Sequence, residues 1–193
     1  FISRQYNEVI TYGFVEEKWE KDFGSDGGKP IFLKNPIANH LNVMRSTLTG
    51  SLVSILKFNQ NRYQERVRVF EVSRVFKDNL GQIHQPYVCS GIACGAVFEQ
   101  QWGHQDRGID FFDLKGDLQP LFSKDEVIYE KSSHDWLHPG RSASIRVNQI
   151  IIGWLGELHP RILRNYELEG PVVAFEFAID NIMDNDIPAF REV

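Results

Sequence analysis

The sequence predicts an α+β fold in which a mostly antiparallel sheet carries helices on one of its sides. Segments rich in β-branched and aromatic residues outnumber segments with the spacing of an amphipathic helix. Several strand-like segments follow one another through short turns, and such hairpins pair antiparallel. The chain has 193 residues, of which 42% are hydrophobic. This length suffices for one substantial core or two small ones, and the composition is that of a packed globular protein.

The first forty residues contain short elements separated by loops. A strand, a short exposed helix and a second strand follow one another, and the second strand ends at Asn35-Pro36. The glycine-rich stretch between the helix and the second strand has the composition of a loop. The segments are "EVITYGF" (8–14), "EEKWEKDF" (16–23), "GSDGGKP" (24–30) and "PIFL" (30–33).

The clearest early helix is "STLTGSLVSILKFNQNR" at residues 46–62. Ser46 or Thr47 can cap its first turn, because a hydroxyl oxygen accepts a hydrogen bond from a free backbone N–H there. Apolar residues spaced by three or four positions form one face, as expected for a helix that packs on a sheet. These residues are Leu48, Leu52, Ile55 and Leu56.

A charged β-hairpin begins with "VRVFEVSRVFKDNLGQIHQP" at residues 67–86 and returns in "YVCSGIACGAVF" at 87–98. Its turn is Asn79-Leu80-Gly81. Three small residues share one face of the return strand, which lets another backbone approach closely. The charges leave two interpretations open, a site for an anionic substrate or an ordinary half-exposed ribbon. The charged residues are Arg68, Glu71, Arg74 and Lys77, and the small ones are Gly91, Ala93 and Gly95.

The second half of the sequence alternates helices with strands. The helix "DFFDLKGDLQPLFS" (110–123) has Asp110 as its cap, and Pro120 limits or kinks its last turn. A short helix, "HPRILRNYEL" (159–168), opens at Pro160. The first helix has a stripe of Phe111, Leu114, Leu118, Leu121 and Phe122, and the strands are "VIYEKSS" (127–133), "SASIRV" (142–147), "QIIIGWLGEL" (149–158) and "VVAFEFAI" (172–179).

Net charge and cysteine content exclude several classes of protein. The formal charge is -5 and the sequence pI is near 5.7. An extensive nucleic-acid surface needs clustered Lys and Arg, so it is disfavoured, although a local basic patch is compatible with this charge. Cys89 and Cys94 suit neither a metal site nor a disulfide framework, and we interpret them as reduced thiols of a cytosolic protein. The longest weakly polar run is too short and too glycine-rich to span a bilayer.

No local motif predicts a catalytic or metal site. His134, His138 and His159 are the conceivable metal ligands, but the last two stand in turn sequences before proline, and no cluster of Cys, Asp or Glu has ligand spacing. Residues 132–135 contain the residue types of a hydrolase triad, yet neighbours in sequence cannot easily make the contacts that a triad requires. A glycine-rich phosphate loop is also missing from the sequence.

Two polar segments keep both a functional and a structural interpretation. Asp113 and Asp117 are one helical turn apart and could share a cation, although a solvated helix face is the commoner use of such a pair. The "HPGRSA" segment (138–143) is the most distinctive turn of the sequence. Its Arg141 could bind an anion or a carboxylate, and a salt bridge at an interface is favoured over an anion site.

Seven short segments occur in a characteristic order and spacing. They are "NEVITYGF" (7–14), "NPIANHLNVMRSTLTGSL" (35–52), "NQNR" (59–62), "RVFEVSRVF" (68–76), "DFFDLKGDL" (110–118), "HPGRSA" (138–143) and "GWLGELHP" (153–160). Each is weak by itself, but together they are specific and extend over nearly the whole chain. In these segments the sequence resembles the bacterial phenylalanyl-tRNA synthetase beta subunits.

The resemblance implies that residues 1–193 form one catalytic-like core domain with a class II aminoacyl-tRNA synthetase fold, an antiparallel sheet flanked by helices. It also implies a longer subunit, in which editing and helix-rich modules precede this domain and an anticodon-binding domain follows it. A start at Phe1 without Met fits a piece excised from such a subunit. The resemblance carries over no catalytic, cofactor-binding or metal-binding residue to this chain.

The resemblance further implies that this domain has lost the ATP site of its fold. In catalytic class II domains an arginine directly after the first hairpin strand grips ATP and the amino-acid carboxylate. Here Lys77-Asp78 follows that strand, and an ammonium cannot reproduce the bidentate guanidinium fork. A second arginine normally follows a glycine-rich late strand, whereas "AFEFAIDNI" (174–182) places Glu176 and Ala178 at the glycines and Asn181 near the arginine. A carboxylate at Glu176 would repel the phosphates of ATP.

We therefore expect a non-catalytic structural domain that pairs with the catalytic alpha subunit in an (αβ)2 tetramer. Class II domains pair around their first motif, here the strand ending at Asn35-Pro36 and the turn that leads to Arg45. Arg45 and Arg141 are expected to anchor this interface or the polar core, with an internal salt bridge as an equal alternative. In the interface interpretation, Arg45→Ala weakens association and leaves folding intact.

By resemblance, the whole enzyme is cytoplasmic and attaches phenylalanine to its tRNA, with ATP and magnesium bound in the alpha subunit. No cofactor is expected in this domain, and no membrane partner. An alternative is an active or regulatory nucleotide-binding enzyme in which Lys77 and Arg74 replace the missing arginine. A third possibility is a tRNA-binding module, which the acidic charge balance disfavours.

Overall fold

The computed structural model describes residues 1–24, 29–38, 40–99, 101–103, 106–122, 126–132 and 134–180. The helices in these ranges are α1 (Glu17–Phe23), α2 (Thr49–Gln60), α3 (Phe111–Leu118) and α4 (Pro160–Asn165), with 3-10 turns at Ile2–Arg4 and Gln119–Phe122. The strands are β1 (Asn7–Glu8), β2 (Phe14–Val15), β3 (Ile31–Phe32), β4 (Val43–Met44), β5 (Val67–Arg74), β6 (Lys77–Asn79), β7 (Gln82–His84), β8 (Tyr87–Cys94), β9 (Val127–Lys131), β10 (Leu137–Val147), β11 (Ile150–Leu158) and β12 (Val172–Ala178). None of these helices has the length and apolarity needed to cross a membrane.

A seven-stranded sheet forms the centre of the chain, in the order β1-β5-β8-β12-β11-β10-β9. β1 pairs with β5 in parallel, and the other neighbouring strands of this sheet pair antiparallel. A three-stranded sheet, β2-β4-β3, and a two-stranded ribbon, β6-β7, contain the other strands of the described ranges. The mostly antiparallel sheet predicted from the sequence is therefore confirmed.

Helices cover both faces of the large sheet, so the prediction of helices on one side was wrong. Alternate residues of a strand point to opposite faces, and two separate apolar clusters result. One cluster contains Phe23 of α1, Leu52 of α2 and Ile162 of α4. The other contains Leu114 and Leu118 of α3. Both sides of the central strands are therefore buried, as in a three-layer α+β domain.

The predicted hairpin at 67–98 is confirmed. β5 and β8 pair antiparallel along their full lengths, and the chain between them forms the β6-β7 ribbon. Gly91 of β8 lies against the ring of Phe175 on β12, and a Cβ atom at Gly91 would approach that ring to 2.5 Å. The close approach expected from the small residues of this strand is therefore present at Gly91.

Several details of the strands were not predicted correctly. The segment 8–14 is not one strand, because its ends belong to β1 and β2, which lie in different sheets. β4 was missed, because two residues are too few to produce an alternating pattern. Leu121 is 42% exposed although it was assigned to the apolar stripe of its helix. The regular helix ends at Leu118, so the later residues no longer follow its spacing.

The turn predicted at 138–143 is instead part of the continuous strand β10. Only the second half of β10, from Ala143 onward, pairs with β9. The first half has β11 alone as its partner, so Pro139 can lie there without breaking a second ladder of hydrogen bonds. A register shift between Leu137 and Ser142 accommodates the irregular backbone.

The capping of α3 was predicted correctly. The carboxylate of Asp110 accepts hydrogen bonds from the backbone N–H groups of Phe112 at 2.8 Å and Asp113 at 3.0 Å. The carboxylate of Asp113 accepts in turn from the N–H of Asp110 at 3.0 Å, which completes a capping box. After Leu118 the helix passes into a 3-10 turn that contains Pro120, as expected for a residue without an N–H donor.

One side chain fixes the C-terminal end of α2 to the loop before β12. The Nε2 group of Gln60 donates to the carbonyl oxygen of Glu169 at 2.9 Å, and its Oε1 accepts from the N–H of Glu169 at 3.0 Å. The amide of Gln60 therefore pairs with the backbone of Glu169 as a neighbouring strand would.

We expect Gly91→Ala to destabilise the chain by about 1 to 3 kcal/mol, because the added methyl group would overlap Phe175 in a closely packed core. Gly116→Ala is the matched control, since a Cβ atom at Gly116 meets no atom within 4 Å. This control should stabilise α3 by about 0.5 to 1 kcal/mol. Urea unfolding measures both changes. A stability of Gly91→Ala equal to that of the unmodified chain would show that Phe175 moves aside without cost.

Candidate functional site

A cavity of about 330 Å³ lies between the start of α2, the β6-β7 ribbon and the strands β11 and β12. Its volume is near the lower end of the range for small-molecule sites, which is roughly 300 to 1,000 Å³. The cavity contains both charged and aromatic side chains. Those that matter for its chemistry are Phe23, Thr47, Lys77, Trp136, Trp154 and Glu176.

The carboxylate of Glu176 is buried in this cavity, against the beginning of α2. Its Oε2 accepts hydrogen bonds from the Thr47 hydroxyl at 2.8 Å and from the backbone N–H of Leu48 at 2.9 Å. The N–H groups at the start of a helix have no partner within the helix, and the helix dipole makes this end positive. A side chain from β12 therefore occupies the place where such a helix end could bind an external anion.

Thr47 also completes the first turn of α2. The helix begins at Thr49, and the Thr47 hydroxyl oxygen accepts a hydrogen bond from the N–H of Thr49 at 3.2 Å. Of the two predicted caps, Thr47 is therefore the one whose side chain accepts a hydrogen bond from the first turn. It lies two residues before Thr49, the first residue of the helix. Ser46 instead uses its backbone N–H, which donates to the Glu20 carboxylate of α1 at 2.9 Å.

Burial raises the pKa of Glu176 above its ordinary value of 4.5, because removal from water disfavours the ionised carboxylate. The hydrogen bonds from Leu48 and Thr47 act in the opposite direction, as does the positive charge of Lys77. These groups stabilise the ionised form without outweighing the effect of burial. The pKa of Glu176 is therefore set by two opposed effects within one cavity.

Aromatic rings form another wall of the cavity. Trp136 and Trp154 meet edge to face with their ring centroids 4.6 Å apart. Phe23 of α1 packs edge to face on Trp136 at 5.6 Å, and the His134 ring lies 5.2 Å from that of Trp136. Sequence analysis missed this cluster, because Phe23, Trp136 and Trp154 are far apart in the chain and meet only in the folded domain.

Lys77 lines the cavity, whereas Arg74 lies on the surface of the hairpin. Lys77 begins β6, where it pairs in register with His84 of β7. The guanidinium of Arg74 lies over the ring of Tyr87, 4.4 Å from its centroid, and donates to the carbonyl oxygen of Gln85 at 3.1 Å. Arg74 was considered as a substitute for the missing ATP-binding arginine. Its guanidinium is instead held against the ring of Tyr87 on β8.

The remaining charges of the hairpin are used inside the domain. Arg68 donates to the carboxylate of Asp117 on α3 at 3.1 Å, and Glu71 accepts from Arg45 at 3.0 Å. Arg68 and Glu71 are both buried. Of the four charged residues of the hairpin, Lys77 is therefore the one that lines the cavity. Arg68 and Glu71 hold the fold together from inside, and Arg74 lies on the surface.

Arg45 lies in an internal ion pair and is only 2% exposed. Its Nη1 donates to Glu71 Oε1 at 3.0 Å and to the Thr11 hydroxyl at 2.7 Å. Its Nη2 donates to the Ser73 hydroxyl at 2.6 Å. Of the alternatives that the sequence left open for Arg45, the structure contains the internal salt bridge. The expectation that Arg45→Ala leaves folding intact does not fit this burial.

The other predicted anchors lie in two different parts of the fold. Asn35 and Pro36 are exposed in the loop that follows β3, beside the small sheet. Arg141 belongs to β10 of the large sheet, where its Nε lies 3.1 Å from Glu157 Oε2. The Glu157 side chain is largely buried, while that of Arg141 is half exposed. Arg141 thus binds a carboxylate of its own chain.

Asp113 and Asp117 each form ion pairs with arginine side chains of this chain. The two Asp113 oxygens accept from Arg107 at 2.6 Å each. Asp117 accepts from Arg68, as described, and from the Tyr6 hydroxyl at 3.2 Å. Among the residues that the structure describes, no group of three or more His, Cys, Asp or Glu side chains is placed to hold a metal ion.

Cys89 and Cys94 are buried, free thiols. Burial raises the pKa of Cys89 to about 12, so its thiol stays protonated near neutral pH. A buried protonated thiol is a poor nucleophile. Burial also raises the pKa of Cys94.

These features define a class of protein. The seven-stranded, mostly antiparallel sheet with helices on both faces is the fold of the class II aminoacyl-tRNA synthetase core. The chain is similar to the structure of PylSc, a pyrrolysyl tRNA synthetase of Desulfitobacterium hafniense, with a TM-score of 0.66 over 94% of this chain and 61% of that chain. The two sequences are 10% identical, so this similarity concerns the fold alone.

Residues 1–179 match the family described as the phenylalanyl tRNA synthetase beta chain CLM domain, and the chain belongs to that family. It is 44% identical to the phenylalanine–tRNA ligase beta subunits of Cupriavidus pinatubonensis and Burkholderia pseudomallei, over 99% of this chain. It is 41% identical to that of Bordetella bronchiseptica, also over 99% of this chain. The chain spans about a quarter of the length of these relatives, 24 to 25%.

We expect Arg45→Ala to destabilise the folded chain by about 3 to 5 kcal/mol, because Glu71 would keep a buried charge without its partner. Arg146→Ala is the control. Arg146 binds Glu130 at 2.9 Å on an exposed strand, and loss of such a pair costs about 0 to 1 kcal/mol. Denaturant unfolding compares the two variants. A loss for Arg45→Ala no larger than that of the control would contradict the buried network.

We also expect the pH dependence of stability to distinguish Glu176→Gln from the unmodified chain. An acid whose pKa rises on folding binds its proton more tightly in the native state, so its contribution to stability falls as pH rises above the unfolded value of 4.5. Glutamine does not ionise. The free energy of unfolding of Glu176→Gln, relative to that of the unmodified chain, should therefore increase from acidic to neutral pH. Urea titrations at several pH values measure this difference, and a constant difference would mean that the pKa is not raised.

Proposed function

We propose that this domain is a catalytically inactive, class II synthetase-like domain of the phenylalanine–tRNA ligase beta subunit, and that it pairs with the catalytic alpha subunit. In this proposal the alpha subunit activates phenylalanine, and the present domain supplies a docking surface and a rigid support. The observation that carries the proposal is the position of the Glu176 carboxylate at the start of α2.

The Glu176 carboxylate makes the cavity a poor fit for ATP. The donors that could bind a phosphate at this end of α2, Thr47 and Leu48, already serve Glu176. A phosphate would also meet a like charge when Glu176 is ionised. Two unit charges 4 Å apart interact by about 4 kcal/mol at an effective dielectric constant of about 20. Several negative charges on ATP would increase this cost.

The positions of the expected arginines support the same conclusion. Lys77 takes the first of these positions by resemblance, and its ammonium is a point charge without the planar fork that binds a phosphate in two directions. The positive charge of Lys77 also lowers the pKa of the Glu176 carboxyl. The second position, Asn181 by resemblance, lies outside the described residues.

A nucleotide-binding function is the alternative, and the location of Lys77 in the cavity favours it. This function would require Arg74 to leave Tyr87 and Gln85 and to turn into the cavity. It would also require Glu176 to be protonated or displaced from α2. If ATP bound the folded chain, it would raise the melting temperature, because a ligand of the native state stabilises that state.

The small sheet β2-β4-β3 and its flanking segments supply the surface that we assign to the alpha subunit. Large apolar side chains are exposed there, as is typical of a surface that a partner covers. Asn35 and Pro36 lie in the same stretch. The buried side chain of Arg45 connects this stretch to β5 through its ion pair with Glu71. The exposed fractions are 93% for Ile10, 71% for Tyr12, 55% for Phe32 and 83% for Ile37.

In the assembled enzyme we assign this domain to an (αβ)2 tetramer in the cytoplasm. The tetramer would join phenylalanine to its tRNA, with ATP and magnesium bound by the alpha subunit. Contacts to tRNA would be made by the whole enzyme. The acidic charge balance of this chain, -5, offers no extensive surface for phosphate neutralisation.

Phenylalanine-dependent ATP–pyrophosphate exchange tests the proposal. It is measured on this chain alone, on a matching alpha subunit alone and on the mixture, together with complex formation by size-exclusion chromatography. We expect no exchange by this chain, a stable complex with the alpha subunit, and exchange only where the alpha subunit is present. Exchange by this chain alone, or a higher melting temperature in millimolar ATP, would refute inactivity and favour the nucleotide-binding alternative.

The docking surface is tested by Tyr12→Asp, with Phe112→Asp as the control. Both residues are exposed aromatics, 71% for Tyr12 and 75% for Phe112, and Phe112 lies on α3, away from the small sheet. Truncation of a buried aromatic anchor costs about 2 kcal/mol or more, so we expect Tyr12→Asp to weaken the complex by about thirtyfold or more. Phe112→Asp should leave the dissociation constant unchanged. Equal effects of the two variants would remove the small sheet from the interface.

A further inference from the structure

A groove lies at the end of the large sheet where β5 begins and β8 ends, and it continues along α3. This β5–β8 groove consists of three neighbouring cavities of about 630, 690 and 450 Å³. The first and second share Glu65, Gly95 and Gly108 in their walls, and the second and third share Phe98. A single small molecule fills a site of roughly 300 to 1,000 Å³. A ligand that fills the whole groove is therefore an extended chain.

Two glycines shape the part of the groove that the first and second cavities share. Gly95 has a left-handed backbone with φ 84°, and a Cβ atom there would overlap the carbonyl oxygen of Glu65, so this position needs glycine. Gly108 pairs with Ala96 in an isolated β-bridge. A Cβ atom at Gly108 would meet no atom closer than 4.0 Å. The groove is therefore open above Gly108, and the backbone of a ligand can approach closely there.

Carboxylates line the walls of the first and second cavities. Glu65, Glu99, Asp106 and Glu169 belong to these walls, and all four are exposed. The ion pairs between described residues involve none of these four carboxylates. Their charge therefore remains available to a cationic ligand.

The two arginines in the walls of the second cavity are already used by the chain. Arg107 donates to both carboxylate oxygens of Asp113 at 2.6 Å each. Arg66 donates from Nε to the carbonyl oxygen of Ala96 at 3.1 Å and from Nη2 to the side chain of Gln5 at 2.6 Å. Two arginines do not balance four carboxylates, so the charge of the walls is negative. Such walls attract cations and repel phosphates and carboxylates.

Exposed aromatic side chains lie at both ends of the groove. Tyr63 lines the first cavity, and Phe98 and Phe112 line the third. All three are at least half exposed. Aromatic rings attract a cation placed over their faces and pack against the aliphatic stems of lysine and arginine. A ligand that combines cationic with apolar side chains therefore matches both the carboxylates and the rings.

We propose that the β5–β8 groove binds an extended, basic segment of a separate polypeptide, with apolar residues between its lysines or arginines. A nucleic acid would bring its phosphates to the four carboxylates. A second copy of this chain carries the same charge of -5 and would be repelled. Exposed carboxylates are well hydrated while the groove is empty, which suits a partner that binds and leaves.

The inference goes beyond the proposed function, because the groove is separate from both surfaces considered there. The Glu176 cavity is lined by Lys77, Pro86 and Val88, which lie where β5 has ended and β8 begins. The β5–β8 groove lies at the opposite ends of these two strands. Its lining residues include none from the small sheet β2-β4-β3.

Fluorescence anisotropy of labelled decapeptides with the 193-residue chain tests the proposal. One peptide alternates arginine with leucine, a second alternates arginine with serine, and a third alternates glutamate with leucine. We expect saturable binding of the arginine–leucine peptide, about tenfold weaker binding of the arginine–serine peptide and no binding of the glutamate–leucine peptide. Failure of the arginine–leucine peptide to bind, or equal or tighter binding of the acidic peptide or of a ten-nucleotide single-stranded RNA, would overturn the proposal.

Gly108→Leu locates the bound peptide, and Gly140→Leu is its control. The side chain added by Gly108→Leu extends into the groove without changing any charge, so the affinity for the arginine–leucine peptide should fall about tenfold or more. Gly140 lies on β10, outside the groove, and a Cβ atom there makes an ordinary contact with the His138 ring at 3.8 Å. This control should leave the affinity unchanged. An unchanged affinity in a folded Gly108→Leu would overturn the assignment to the groove.

Glu65→Lys tests the charge of the walls, and Glu17→Lys is the control with the same change in net charge. Glu17 pairs with Lys21 on α1 at 2.8 Å, away from the groove. We expect the affinity to fall about tenfold for Glu65→Lys and by less than about twofold for Glu17→Lys. Circular dichroism verifies that the variants are folded, and this pair decides the question if Gly108→Leu does not fold. Equal losses would show that the peptide responds to net charge alone, which contradicts a defined site.

Discussion

The burial of one carboxylate, that of Glu176, determines how the large sheet and α2 meet. A charge in the interior of a sheet is tolerated only where donors surround it, and the start of a helix presents such donors by its geometry. The donors at Thr47 and Leu48 therefore position α2 over β12 at one defined point. The contact of Glu176 with Thr47 and Leu48 also occupies the helix end that an anionic ligand would otherwise use. One contact therefore both supports the fold and shapes the cavity.

The strand β5 distributes two further buried charges to opposite sides of the sheet. Arg68 faces α3 and meets Asp117, while Glu71 faces the small sheet and meets Arg45. Alternation along a strand sends residues an odd number of positions apart to opposite faces. One central strand therefore connects the helical layer on one side to the small sheet on the other through paired charges. Apolar packing alone would specify these two attachments less uniquely, because it is not directional.

Sequence patterns determined the elements well where a pattern was long and local. The stripe of α2, the capping box at Asp110 and the hairpin of β5 with β8 all depend on residues close together in the chain. The placement of helices on both faces could not be read in this way, because central strands that are buried on both sides lack alternation. The residue Glu176 was singled out by resemblance to a family. Its donors and the tryptophans beside it were not, since they meet only after β10, β11 and β12 have paired.

The amide of Gln60 gives α2 a second attachment, and its location has a consequence for how the domain opens. Glu169 leads into β12 and holds the last turn of the helix, while Glu176 near the end of β12 holds the first turn. The helix of 12 residues is about 18 Å long, which is comparable to the extended backbone between these two glutamates. Helix and strand thus run antiparallel and are joined at both ends, so neither end of α2 can fray alone. Amide protons of α2 and β12 should exchange with solvent together, as one cooperative unit of the native state.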